Sequence, residues 1–317
     1  MSKIRAVIVD PNVPGRLALG EVDAPIAAPN EALVRVAAVS LNRGEVRRSM
    51  NADAGWRPGW DFAGTVETPA TDGSGPAKGS CVVGLLRSGA WGELVSVTTN
   101  ALAELPESVS FAQAATLPVA GLTAYHALLK GGSLLGRSIL ITGASGGVGN
   151  FAIQLARLSG AQVVAYIRQA GYESIVKEAG AQSVVIGEDL LPAIEYRPYP
   201  YHLIVESVGG NTLSTALKLL APDGVTVLFG TSGGSEVTFD ASQFYATAGA
   251  SLYALLLFHE LQRESAAVGL KRLLQLIEAG QLRPHIDVEA SWTEIGDLAQ
   301  QLLDRRFPGK AVLHVST

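Results

Sequence analysis

Thr142-Gly143-Ala144-Ser145-Gly146-Gly147-Val148-Gly149 is the segment of this chain whose residue types and spacing most directly meet a chemical requirement. A run of small residues that follows an apolar strand and opens a helix leaves backbone N–H groups free to hold a phosphate. Set against the pattern G-x-G-x-x-G, the first position is Ala144, the second Gly146 and the third Gly149. A missing side chain at Gly146 lets a pyrophosphate approach the backbone, and at Gly149 it lets the helix lie close to the sheet. Ser145, Gly147 and Val148 complete the turn. The competing reading is a structural glycine turn. It is the weaker one, because strand, loop, helix and next strand follow in the required order.

The end of the second strand of such a unit selects the cofactor. An acidic residue there holds a ribose 2′-hydroxyl. Here the place is taken by Tyr166-Ile167-Arg168, and no acid occurs between Gly149 and Glu173. Arg168 offers a guanidinium to a 2′-phosphate instead, which favours NADP(H) over NAD(H). A solvent-facing strand-end arginine is the alternative, and Lys177 is a possible assistant on a helix face. Ser207, Val208 and Gly209 follow the fourth strand, and Phe229, Gly230 and Thr231 the fifth. Both segments stand where ligands bind in open parallel sheets and are expected to border adenosine or ribose. Leu256 and Phe258 are candidates for the nicotinamide pocket, and equally for core.

The elements that must position these groups fall into two styles. The first hundred residues read as short strands, among them 32–36, 64–67 and 80–84, separated by Pro/Gly turns. From Ile139 onward, apolar strands without polar alternation (138–141, 162–167, 183–186, 202–205, 225–229, with 251–257 as a sixth) alternate with helices. That pattern predicts a doubly wound α/β domain with a parallel sheet covered on both faces. Two helical patterns, 269–279 and 293–303, and a strand at 311–315 end the chain. Tyr196, Tyr199 and Tyr201 among Pro198 and Pro200 read as a rigid loop.

Composition narrows the classes. The chain has 317 residues, room for about two domains. Its 24 Lys+Arg against 29 Asp+Glu give a net charge of −5, without the basic footprint that nucleic-acid binding needs. No apolar run spans a bilayer, and the apolar stretch before Asp10 is too short for a secretory signal. The single cysteine, Cys81, allows no internal disulfide and no thiolate-rich zinc site, and the five histidines lack ligand spacing. A cytoplasmic protein without a metal, a membrane or a nucleic-acid partner is expected.

The chain resembles the medium-chain dehydrogenase/reductase superfamily, in its zinc-independent quinone oxidoreductase (zeta-crystallin-like) branch. The resemblance spans nearly the whole chain. It rests on Asn42 after a strand, Pro58-Gly59-Trp60-Asp61-Phe62-Ala63-Gly64, Ala115-Thr116-Leu117-Pro118, Gly121-Leu122-Thr123-Ala124-Tyr125, the glycine loop, Val208-Gly209-Gly210 and Gly309-Lys310. It implies a GroES-like β domain of residues 1–120 and 262–317 for substrate and catalysis, with a Rossmann domain over 121–261 for NADP. Short-chain dehydrogenases fit less well: their glycine loop lies near the N-terminus, and Tyr172 and Lys177 have the wrong spacing for their Tyr-x-x-x-Lys pair. Zinc alcohol dehydrogenases carry Cys-His where this chain has Asn42-Arg43, and Gly-His-Glu where it has Gly59-Trp60-Asp61. Both metal ligands are therefore lost.

Without a Lewis acid, alcohol oxidation gives way to hydride delivery onto an electrophilic small-molecule acceptor, a quinone or an enone or enal. The resemblance implies two catalytic residues: Asn42 beside the nicotinamide, donating to a carbonyl oxygen, and Thr123. Arg43, Trp56 and Trp60 are candidates for the acceptor pocket. Residues 43–60 hold no tyrosine of the kind enoyl reductases use as proton donor, so an enoyl-thioester reductase is the less favoured alternative. A non-catalytic NADPH-binding, crystallin-like protein is another. The family's sheet-pairing segment corresponds to 251–257 and implies a homodimer.

Overall fold

The structure, a computed structural model, describes residues 2–195 and 200–315. It divides into one unit of Met1–Leu122 and Leu261–Thr317 and a second of Thr123–Glu260. The first unit opens with the antiparallel pair β1 (Lys3–Val9) and β2 (Leu17–Asp23). Then come β3 (Glu31–Ser40), α1 (Arg43–Ser49), β4 (Asp61–Thr68), β5 (Cys81–Leu85), β6 (Leu94–Thr98), β7 (Leu102–Glu104) and α2 (Phe111–Ala115). Buried and partly exposed positions alternate through the first half of β3 and give way to continuous burial at Ala38, Val39 and Ser40. The strand thus runs from the surface into the core, where Val34, Phe62, Val82, Trp91 and Trp292 pack together.

The second unit carries α3 (Leu122–Leu129, entered from the first unit at its first residue), β8 (Ser138–Ile141), α4 (Gly147–Leu158), β9 (Gln162–Ile167), α5 (Glu173–Glu178) and β10 (Ser183–Ile186). It continues with β11 (Tyr201–Glu206), α6 (Gly210–Lys218), β12 (Leu220–Leu228), α7 (Ala241–Ala246), β13 (Ser251–Ala254) and α8 (Leu257–Glu260). The sheet order is β10-β9-β8-β11-β12-β13, with every pair parallel. β8 and β11 are neighbours although two strands separate them in sequence, so the order reverses between them. Ligands bind at such a switch point, beyond the carboxyl ends of the strands. Buried Leu140, Val164, Tyr166 and Ile204 fill the interior of this unit.

The chain then returns to the first unit through α9 (Ala266–Glu278), β14 (Ile286–Ser291), α10 (Ile295–Leu303) and β15 (Lys310–His314). β15 pairs antiparallel with β3, and β14 pairs parallel with β15. β15 is therefore an inner strand, between β14 and β3, of a seven-stranded sheet begun near residue 30.

One expectation needs correction: the sixth strand ends at Ala254, not at Leu257, because Leu257 already opens a helical turn. The segment after Asn42 is the helix α1. Of the Tyr/Pro loop, Tyr196, Pro198 and Tyr199 lie outside the described residues, while Tyr201 is buried and its hydroxyl donates to the Ala193 carbonyl at 2.8 Å.

Candidate functional site

In the α/β unit, β8 delivers Thr142 and the glycine loop to the switch point, and Gly146 caps α4. The first-turn N–H groups of α4 have no intrahelical partners, and the helix adds a partial positive charge there. A Cβ on Gly149 would lie 2.6 Å from Ala144 Cα and from the Gly143 carbonyl oxygen, so helix and loop touch backbone to backbone. At Gly146 a Cβ would meet one atom among the described residues, the Gly143 carbonyl oxygen at 3.3 Å. That glycine keeps space open rather than filling it, as a phosphate cradle requires.

The neighbouring loops are tied to this turn by a carboxyl group that the sequence analysis did not single out. Glu206, at the end of β11, is fully buried. One oxygen accepts from Thr142 Oγ1 at 2.9 Å and Val208 N at 2.7 Å, and the other from Gly209 N at 3.0 Å. Burial pushes its carboxyl upward, and these donors oppose the shift. Ser207 joins the same turn, its N–H donating to Thr142 Oγ1 at 3.1 Å. The Phe229 N–H donates to the Glu206 carbonyl at 3.0 Å, and a Cβ on Gly230 would come within 2.9 Å of the Ser207 carbonyl oxygen. The structure thus brings together Ala144 to Gly149, Ser207 to Gly209 and Phe229 to Thr231. Arg168 stands exposed just past β9, with no hydrogen bond or ion pair among the described residues. Lys177 pairs with Glu173 at 2.6 Å on α5. Leu256 is 66% exposed, and Phe258 is half-buried in α8.

In the first unit, sheet register builds a second cluster. Ser40 pairs with Asp61 of β4 on one side and Val312 of β15 on the other. The ends of three strands therefore converge where Asn42 opens α1. Glu45 is three residues into that helix and accepts the Asn42 backbone N–H at 2.8 Å, a capping interaction that fixes the turn. Asn42 Nδ2 donates to Glu45 Oε1 at 2.9 Å and to Asp61 Oδ2 at 2.7 Å. Asn42 Oδ1 accepts from Lys310 Nζ at 2.6 Å. Lys310 also donates to the Leu41 carbonyl at 2.9 Å and lies 3.4 Å from Asp61 Oδ2. Asp61 takes two further donors, Ser40 Oγ at 2.9 Å and Val119 N at 3.0 Å.

The role expected of Asn42 changes accordingly. Its amide has two hydrogens, and both are already placed on carboxyl groups. In this arrangement it does not donate to a substrate carbonyl. The expectation came from the residue's position; the neighbours that occupy its donors lie 3 and 19 residues away, and the ammonium on its oxygen 268.

One ammonium serves two buried carboxyl groups here. Asp61 and Lys310 contact one another. Burial pushes Asp61 up and Lys310 down, and their mutual attraction opposes both shifts. Glu45 makes no contact with a cation, and its Oε2 is buried without a partner among the described residues. Burial first, and the Asp61 charge second, hold its carboxyl well above the usual range. Glu45 therefore keeps a proton that the unfolded chain has lost, and stability falls as pH rises from the unfolded toward the folded pKa. Glu45→Gln removes that proton linkage. Urea unfolding is expected to find the variant gaining on the parent as pH rises above the ordinary carboxylate range. A constant difference over that rise would place an ionised Glu45 in the fold.

The other candidates are distributed as follows. Arg43 opens α1 and donates to the Leu302 carbonyl at 3.0 Å. Trp60 donates its Nε1 hydrogen to the Arg87 carbonyl at 3.1 Å, and its ring edge would lie 3.0 Å from a Cβ on Gly44. Trp56 packs partly against the core, with the Arg48 guanidinium 5.0 Å from its ring centroid. Thr123 is buried, 5% exposed, in the second unit. Among the described residues, no group of three or more His, Cys, Asp or Glu side chains is placed to hold a metal ion, and no helix is long and apolar enough to cross a membrane.

Comparison with known proteins follows the same division. Residues 28–107 match the family described as alcohol dehydrogenase GroES-like domain, and residues 147–271 the one described as zinc-binding dehydrogenase. The human synaptic vesicle membrane protein VAT-1 homolog is 30% identical over 278 residues, covering 81% of this chain and 70% of that protein. The 2-methylene-furan-3-one reductase of Solanum lycopersicum is 28% identical over 312 residues, covering 92% of this chain and 74% of that one. The structure of the quinone oxidoreductase from Coxiella burnetii superposes with a TM-score of 0.84 at 26% identity, over 99% of this chain and 100% of the other.

Proposed function

This chain belongs to the medium-chain dehydrogenase/reductase superfamily, in its quinone oxidoreductase branch, and from that premise we propose that it is a zinc-independent reductase passing hydride from NADPH to quinones or activated alkenes. The observation that carries the cofactor assignment is Arg168. It stands past the second Rossmann strand, unpaired among the described residues, where an acid would hold the 2′-hydroxyl of NADH. The space kept at Gly146 and the first turn of α4 fit a pyrophosphate. The loops at 207–209 and 229–231 are assigned to the adenosine side, and Leu256 and Phe258 to the nicotinamide side. Bound NADPH would supply the hydride.

A zinc ion does not fit the corresponding residues of this chain. Trp60 has a ring N–H and no ligand lone pair, and the Asn42 amide is committed to carboxyl groups and an ammonium. The acceptor must therefore be electrophilic without metal assistance. Trp56, Trp60 and Arg43 are assigned to its pocket. Of the two residues proposed for catalysis, Thr123 retains a hydroxyl donor and Asn42 serves as a fixed amide. The name of the tomato relative, a reductase of an exocyclic enone, supports the activated-alkene half of the substrate class. The single exposed cysteine is compatible with a reducing, cytoplasmic setting.

The test is turnover by the purified protein with NADPH or NADH against a panel of quinones and enones, before and after treatment with a strong chelator. NADPH-dependent turnover unchanged by chelation is expected. Stoichiometric zinc lost together with activity would contradict the metal-free assignment.

We also propose a homodimer. β13 is the sheet edge of the α/β unit, with Leu252 43% exposed on it, and an unprotected apolar edge strand pairs or aggregates. Light scattering is expected to give twice the 33.0 kDa chain mass; a monomer at micromolar concentration would end this assignment.

A further inference from the structure

Asp61 and Lys310, from the segments Gly59-Trp60-Asp61 and Gly309-Lys310, are two residues to which the proposed reaction gives no task. Their placement is costly. Asp61 is fully buried and Lys310 is 3% exposed, and neither charge reaches solvent. Lys310 is aimed inward by its neighbour. Gly309 has φ +65°, and a Cβ there would lie 2.4 Å from the His285 ring, so the turn into β15 is open to glycine alone. The Lys310 ammonium then spends its three hydrogens on Leu41 O, Asn42 Oδ1 and Asp61 Oδ2.

An asparagine amide can occupy its site in two orientations, related by a half-turn about its last bond. Here they are far from equal. In the observed one, the oxygen faces the ammonium and the nitrogen lies between Glu45 and Asp61. Reversed, the amide hydrogens would face the Lys310 ammonium and the oxygen would face the Asp61 carboxylate, exchanging two charge-assisted contacts for two repulsive ones. The surroundings therefore fix the amide. Its two hydrogens are spent, and one lone pair of Oδ1 is taken. The Glu45 backbone N–H faces the same side chain as the other half of the capping box.

We propose that Asp61 and Lys310 are positioning residues of the candidate site, locking the Asn42 carboxamide with its oxygen toward the ammonium and its nitrogen toward the carboxyl groups. Lys310 comes from the last strand of the chain, so the site is not assembled until the C-terminal segment has returned. The part played by Asn42 in turnover rests on the proposed reductase activity; the orientation of its amide does not.

Two measurements test this separately. In protein labelled with 15N-asparagine, the Asn42 side-chain hydrogens are expected to exchange slowly with solvent. They are expected to lose that protection in the double variant Asp61→Asn/Lys310→Met, which removes both charges and leaves no buried ion unpaired. The same double variant is expected to approach the parent in thermal stability while its kcat with NADPH and a quinone stays on the order of 10- to 100-fold lower. Lys310→Arg, which keeps the cation, is expected to recover part of that loss. Solvent-rate exchange of the Asn42 amide in the parent overturns the proposal. So does a double variant that recovers stability and kcat together, which marks a purely structural pair. If the parent turns over no acceptor, the reductase reading falls, and amide exchange alone decides the orientation.

Discussion

Lys310→Met alone is expected to destabilise the protein by about 3–5 kcal/mol, the cost of removing one partner from a buried ion pair. The methionine fills a similar volume but takes away three hydrogen bonds and leaves Asp61 charged in a site with no exposure. Ser40, Asn42 and the Val119 N–H still donate to Asp61, which limits the damage. Without the cation Asp61 is held further above its ordinary pKa, so the deficit shrinks as pH falls and Asp61 takes a proton. Urea unfolding of the parent, both single variants and the double variant completes a cycle. A double variant markedly more stable than Lys310→Met is the expected outcome, since replacing a whole buried pair by neutral groups costs far less than breaking it. Equal losses in the single and double variants would show that the 3.4 Å contact contributes nothing.

Arg168→Ala is expected to weaken NADPH by roughly 10- to 150-fold and to leave NADH nearly unchanged. The estimate takes one charge-assisted hydrogen bond at about 1.5–3 kcal/mol and about 1.4 kcal/mol per tenfold. The discrimination depends on a charge at an exposed position, so rising salt narrows it. Lys177 offers little compensation while it pairs with Glu173. Fluorescence titration of both cofactors decides the matter: equal weakening of the two, or a parent protein that binds them equally, removes Arg168 from the 2′-phosphate site.

Strands buried on both faces were the most legible part of the chain. Ser138–Ile141, Gln162–Ile167 and Ser183–Ile186 stand where their apolar runs end, because a parallel strand under two layers of helix has no polar alternation to blur it. The glycine loop was legible for a related reason: strand and helix bracket it. Helix α1 was not read, since Gly44 and its three arginines suppress the apolar period. The signal that identifies it, Asn42 followed three residues later by Glu45, is a capping pattern. Asp61 and Lys310 each open an apolar strand and Glu206 ends one, which marks them as unusual. Nothing local says that Asp61 and Lys310 meet at a sequence separation of 249. That contact exists because β15 returns beside β3, and pairing at such separation is set by the whole sheet rather than by any window of sequence. The donor role expected of Asn42 meets a nearer obstacle: Glu45 and Asp61, 3 and 19 residues away, hold its hydrogens.

The central claim is hydride transfer from NADPH to an electrophilic acceptor, and deuterium labelling tests it most directly. Purified protein would be given NADPH carrying deuterium at the transferable C4 position, together with an enone, and the product analysed by mass spectrometry and NMR. The account predicts one deuterium per product molecule, on the carbon β to the carbonyl, with consumption of NADPH faster than of NADH and slower turnover of the labelled cofactor. A protein that binds NADPH tightly but moves no deuterium to any enone, and reduces no quinone, would contradict it and leave a cofactor-binding protein without this activity.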